Sequence, residues 1–349
     1  MLKQRFIYVL IIVMSLIFAG CSSNTLSPKA ALEKASLNTQ GANSYAITAS
    51  VILNELEIDA AASELQANPE ASAMALAILK DAKINIDGIY MKDPMRADLN
   101  MEIVLPGFMD MKLEVPMKLT QEKLYVKIPS IPLLQLPETV TGKFIEIDLN
   151  ELAAAQGASE AANAAEQQQL VQELSQALLG HFDEKDYFSE PKAADAGLPD
   201  GLKADQIVRF EINEQNYDAT VETLIQTILP ELLDIVIANE GYLQSLNLDK
   251  ADLEEAKAEL NSSKDEIIAT LKNDINFNLQ LTGAIKDKYL IHQHAQIAAQ
   301  ATDGTMKVGL ELNVDYKDIN KNVSFDGELP TDTVTLEQLA ELFQVPYGL

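Results

Sequence analysis

The chain has 349 residues, 47% of them hydrophobic and 23% charged, which is a globular composition rather than a disordered one. Its 26 Lys and Arg face 53 Asp and Glu, and the net charge of −27 excludes a protein that works by gripping nucleic acid phosphates. One cysteine excludes an internal disulfide, a Cys-ligated zinc finger and an iron–sulfur cluster, and three histidines leave little room for a His-rich metal site.

The first twenty residues read as a processing segment. Lys3 and Arg5 precede an apolar run, Phe6 to Phe18, broken only by Ser15. That run is shorter than the roughly 20 residues a transmembrane helix needs. The string Ile17-Phe18-Ala19-Gly20-Cys21 resembles the lipobox of bacterial lipoproteins. In that family the cysteine thiol is diacylglycerylated, the segment before it is cut off, and the new N-terminus is usually acylated as well, palmitate being a typical chain. The resemblance implies a lipoprotein signal peptide over 1–20, a lipidated tether over 21–28 and Cys21 as the lipid attachment point. It places the rest of the chain outside the cytoplasm, anchored to the outer face of the cell membrane, or on the periplasmic side in a cell with two membranes. The alternative is an uncleaved anchor with an incidental cysteine.

Beyond the tether, Ser27-Pro28 opens a helix by cap logic, expected over Lys29 to Asn38. Tyr45 to Leu53 alternates as a half-buried strand. Asn68-Pro69 opens a second helix that runs to about Ala82. A meander follows. Ile84, Ile86 and Tyr90 alternate with polar residues, as do Leu99, Met101 and Ile103. Met109, Met111, Leu113, Val115, Met117 and Leu119 alternate strictly, and Leu124, Val126 and Ile128 continue the pattern. Pro116 on the wet face predicts an edge or bulge there. A sixth strand is expected over Phe144 to Leu149.

Residues 151–204 differ in texture and read as an insert. An Ala/Gln-rich helix is expected at about 159–179, then a Pro/Gly-bearing loop from Asp183 to Ala204. A strand over Ile207 to Ile212 leads into the most apolar helix, Tyr217 to Asn239, which Pro230 should kink. A charged amphipathic helix over Lys250 to Lys272 precedes a second meander. Its strands are expected at Ile275–Leu281, Tyr289–Ile297, Met306–Tyr316 and Val323–Phe325, before a final helix over Thr335 to Phe343.

This order of lipobox, capped helix, strand, helix, meander, insert and second meander is similar to the lipoprotein-carrier superfamily, which holds the periplasmic LolA/LolB carriers and the LppX/LprG-type lipoproteins. The resemblance spans most of residues 28–343 and rests on element order and strand alternation, not on a sharp motif. It implies an α+β fold over 29–349: a strongly curved antiparallel sheet, a half-barrel of about eleven strands, with helices covering the concave face. It also implies acyl-chain binding between sheet and helices. Met101, Met109, Met111, Leu113 and Met117, with Leu224, Ile228 and Leu232 of the apolar helix and Leu279, Leu281, Val308, Leu310 and Leu312 of the second meander, are then the candidate cavity wall. Methionine adapts to irregular partners, which suits such a wall. The competing reading of the same residues is ordinary core packing.

Chemistry elsewhere is sparse. His292 and His294 share one face of a strand at a spacing that can chelate a metal, but no third histidine stands near; polar-face residues are the simpler reading. His181 is expected at the surface. The carboxylates show no glycosidase-like pair, and there is no phosphate loop or nucleophile elbow. No enzyme, metal or cofactor is therefore expected. Two functions remain: a membrane-anchored lipoprotein that binds a lipid or other hydrophobic ligand under a helical lid, in the fuller version as a carrier, or a non-enzymatic interaction lipoprotein with a filled core that docks to another envelope protein.

Overall fold

The computed structural model describes residues 26–59, 74, 76–106, 111–130, 137, 140–155, 164–245 and 248–343. The expected signal peptide, Cys21, Met109 and most of the helix expected after Asn68 lie outside them; residues 74 and 76–79 of that helix are helical.

Helix α1 (Pro28–Gln40) starts with proline in its first turn, as expected, but the Ser27 side chain does not cap it. Instead the Ser27 hydroxyl donates to Glu184 Oε2 at 2.7 Å and the Lys29 N–H donates to Glu184 Oε1 at 3.2 Å. A carboxylate 155 residues away thus meets the positive end of the helix dipole.

The first meander forms β1 (Ser44–Ile58), β2 (Lys83–Lys92), β3 (Met95–Leu105), β4 (Met111–Thr120), β5 (Lys123–Lys127) and β6 (Phe144–Asp148). Pro116 pairs with Asn100 on β3, but β5 stops pairing at Met117, so the missing N–H falls where β4 has become an edge. The insert holds α2 (Leu149–Ala155) and α3 (Ala164–Gly180). The stretch expected as loop after Asp183 holds a short α4 (Glu184–Tyr187), an edge strand β7 (Phe188–Ser189) and a 3-10 turn.

After β8 (Gln206–Ile212), the expected apolar helix is built in three parts: α5 (Tyr217–Thr223), a π turn over Leu224–Ile228, and α6 (Leu229–Ala238). Pro230 has no N–H to give, and its ring would crowd the carbonyl one turn back in a regular helix. The chain opens into a wider i→i+5 turn just ahead of it. Two helices follow: α7 (Glu240–Ser245) and α8 (Lys250–Asp274), whose Asp249 cap accepts from the Ala251 N–H at 2.7 Å. The second meander is β9 (Ile275–Lys286), β10 (Tyr289–Ala301) and β11 (Met306–Lys317). The strand expected at Val323–Phe325 does not form; Phe325 lies under the Arg96 guanidinium at 4.3 Å. The chain ends with a three-residue strand, β12 (Thr333–Thr335), and α9 (Leu336–Phe343), opened by a reciprocal Thr335–Gln338 capping box.

The fold class is the expected one: α+β, with one open, mostly antiparallel sheet. It has twelve strands in the order β12-β6-β5-β4-β3-β2-β1-β11-β10-β9-β8-β7, and only the β12–β6 pair is parallel. The two meanders meet where β1 pairs with β2 on one side and β11 on the other.

A bare apolar face in the middle of the sheet

Cross-strand register carries one apolar face across the sheet. Val51 stands opposite Leu312 and Ile84; Ile84 opposite Ile103; Ile103 opposite Leu113. On the other side Leu312 stands opposite Ala295, Ala295 opposite Leu281, and Leu281 opposite Phe210. Side chains on opposed residues point the same way, so the face is continuous from β4 to β8.

Helices close this face at its two ends. Over β7–β10, Ala31, Leu32 and Ala35 of α1 and Ile228 from the π turn bury Val208, Phe210, Ile285 and Leu290, with Phe182, Tyr187 and Phe188 stacked around Phe210. Over β6 and β12, α9 brings Leu339 against Val334, Val140, Ile128 and Ile145. The π turn also shares out the apolar residues: Ile228 faces the sheet, while Ile225 joins Val221 against Ile268 of α8.

Between those ends the face is open among the described residues. None of helices α1–α9 makes an extensive contact with β1–β5 or β11, and the helical residues 76–79 reach the end of β1, where Leu76 and Ala77 line a hollow with Leu56 and Ile58. Almost every residue of β1–β4 and β11 is half-buried or exposed, Ser44 and Ala97 being the exceptions. Six adjacent strands at about 4.8 Å spacing make this strip about 24 Å across, large for an apolar surface left to water.

The candidate wall residues divide along that boundary. Leu224, Ile228, Leu232, Leu279 and Leu281 meet in the closed core beneath α1, α5 and α6. Met101, Met111, Leu113, Met117, Leu310 and Leu312 lie on the bare strip, with Val308 at its border. The structure places the two groups differently: Leu224, Leu232, Leu279 and Leu281 pack, partly buried, against a core that contains Ile228, while the second group is half-buried on strands that α1–α9 do not cover extensively.

Sequence reasoning underrated the tyrosines. Tyr45, Tyr90 and Tyr316 cluster at one end of the strip, with ring centroids 5.0 and 5.3 Å from Tyr45. Burial, with the Tyr316 and Tyr90 charges adding, pushes the Tyr45 phenol up to about 12. Burial also raises Tyr90 and Tyr316. The signal was present, since each tyrosine falls in an apolar register at the end of its strand.

The opposite face is polar. His292 and His294 do share it, but they are buried there, 1% and 9% exposed, rather than solvated. Asp315 Oδ1 lies 2.8 Å from His292 Nδ1, and Nε2 is buried without a hydrogen-bond partner among the described residues. His294 Nδ1 lies 2.8 Å from Asn313 Oδ1. Arg209 bonds both Thr282 Oγ1 and the Asp195 carbonyl, tying the 190s loop to this part of the sheet. His181 is partly exposed and pairs with Glu231. Among the described residues no three His, Cys, Asp or Glu side chains are placed to hold a metal ion. Nor is any helix there long and apolar enough to cross a membrane.

No family model matches this chain, and no curated protein matches it either.

Proposed function

We propose that this chain is a membrane-anchored extracytoplasmic lipoprotein, lipidated at Cys21, that binds a lipid or other aliphatic ligand on the bare middle of its sheet. The observation that carries the reading is the continuity of the apolar face: closed by helices over β7–β10 and β6–β12, and, among the described residues, without extensive helix cover across β5-β4-β3-β2-β1-β11. An aliphatic chain laid on that strip removes apolar area from water at about 25 cal/mol per Å². Flexible Met101, Met111 and Met117 let the surface fit chains of differing shape. Anchoring rests on the Ile17-to-Cys21 string alone.

Residues 25–349 lack Cys21 and so carry no covalent lipid. Purified without detergent and extracted with organic solvent, they should yield a stoichiometric aliphatic molecule by mass spectrometry. An empty protein that also fails to take up added lipid overturns the reading. It favours docking to another envelope protein, a role supported by the packing of Leu224, Leu232, Leu279 and Leu281 against the core around Ile228. Anchoring has its own test: Cys21→Ser should move the chain from the membrane fraction to the soluble one.

A further inference from the structure

At the seam between the closed β7–β10 end and the bare strip lies an open cavity of about 350 Å³, roughly the share of a dozen liquid waters. Its floor is Phe277, Ala299 and Val308, directly opposite one another on β9, β10 and β11. The space exists because Ala299 is small between two larger neighbours. Tyr217 forms one wall, its ring 6.3 Å from that of Phe277 and its hydroxyl donating to the Leu271 carbonyl at 3.1 Å. Past Val308 the floor continues into Leu310 and Leu53 of the strip.

The border of the cavity is charged, and unevenly so. Its two cations already have partners: Lys272 bonds Glu222 and Lys307 bonds Glu55, both at 2.5 Å. Glu214, in the turn before α5, and Asp218, in its first turn, are exposed and form no ion pair among the described residues. The Lys272 ammonium is held above its usual range by its hydrogen bond to Glu222, with the charges of Glu222 and Asp218 adding. In a chain of net charge −27, this border repels an anion and attracts a cation.

We infer, resting on the ligand reading above, that the cavity seats the protonated amine of a single-chain amphiphile whose aliphatic tail runs over Val308 onto the bare strip. The ammonium meets Glu214 and Asp218 while its first methylenes cover Phe277 and Ala299. A carboxylate or phosphate on the same tail would meet Glu214 and Asp218 instead, with both lysines of the border already bonded to Glu222 and Glu55.

The test uses the processed chain, beginning at residue 21 with Cys21→Ser so that no lipid is attached, titrated at pH 7 with dodecylammonium and with dodecanoate below their micelle concentrations. Dodecylammonium should bind at least ten-fold tighter. The pair Glu214→Gln/Asp218→Asn should shrink that ratio at least three-fold. The pair Glu254→Gln/Glu255→Gln removes the same charge about 25 Å away along α8 and should leave the ratio unchanged. Ala299→Leu, which fills the floor, should weaken both probes. The inference is overturned if the two probes bind equally, if both double variants shrink the ratio alike, or if Ala299→Leu changes neither affinity. If neither probe binds, the ligand reading itself falls.

Discussion

The β7–β10 end of the sheet and its β1–β4 middle use the same alternation of apolar and polar residues, yet only the end is closed. What differs is what the chain supplies above them. Over β8, Phe210 touches three aromatic rings drawn from the segment just after α3, and α1 lies on the same cluster. Over β3, Met101 and its neighbours have no extensive contact with any of α1–α9. Alternation decides which face is apolar; the helices decide whether that face becomes core or surface.

The comparison can be broken by mutation. Phe210→Ala should cost the most, about 3–5 kcal/mol in denaturant unfolding, because it empties a closed aromatic cluster. Gly88→Ala should come next, at about 1–3 kcal/mol. A Cβ at Gly88 would lie 2.4 Å from the Asp98 carbonyl and 2.5 Å from a Leu99 methyl, so even the open strip has one tight point. Met101→Ala should cost only about 1 kcal/mol, since a half-exposed side chain leaves no sealed cavity behind. If Met101→Ala were as damaging as Phe210→Ala, the middle would be core too and the contrast would be wrong.

The subtlest effect is alkaline. Raised phenol ionisation at Tyr45, Tyr90 and Tyr316 gives stability that is full below the ordinary tyrosine value near 10 and is lost as pH climbs toward about 12. An ultraviolet titration should show these phenols ionising late, and Tyr45→Phe should flatten the stability loss above pH 10. Ordinary titration of all ten tyrosines would contradict the cluster.

Much of this was legible in the sequence. Strict alternation from Met111 to Leu119 marks β4 because a two-residue period fits only a pleated strand with one wet face. Strands β7 and β12 were not legible, since two or three residues carry no period; they exist because Phe188 finds Phe210 and Val334 finds Ile145. The π turn before Pro230 was not legible, because composition announces that a proline disturbs a helix but not how the backbone absorbs it. The split of the candidate wall was invisible for a related reason: Leu281 and Leu312 read alike, and only the strand order, which puts one beneath α6 and the other beside β1, separates them. His292 read as a polar-face residue on the same logic.

The position of β1 has a consequence for how the chain matures. Synthesised among the first sixty residues, this strand pairs with β2 soon after, but its other edge waits for β11, some 260 residues further along. Until Met306–Lys317 has emerged, the first meander ends in a row of unpaired amides and carbonyls, the kind of edge that recruits stray strands. A truncation before β11 should therefore clump rather than fold, because that edge stays unshielded until the last strand of the second meander arrives.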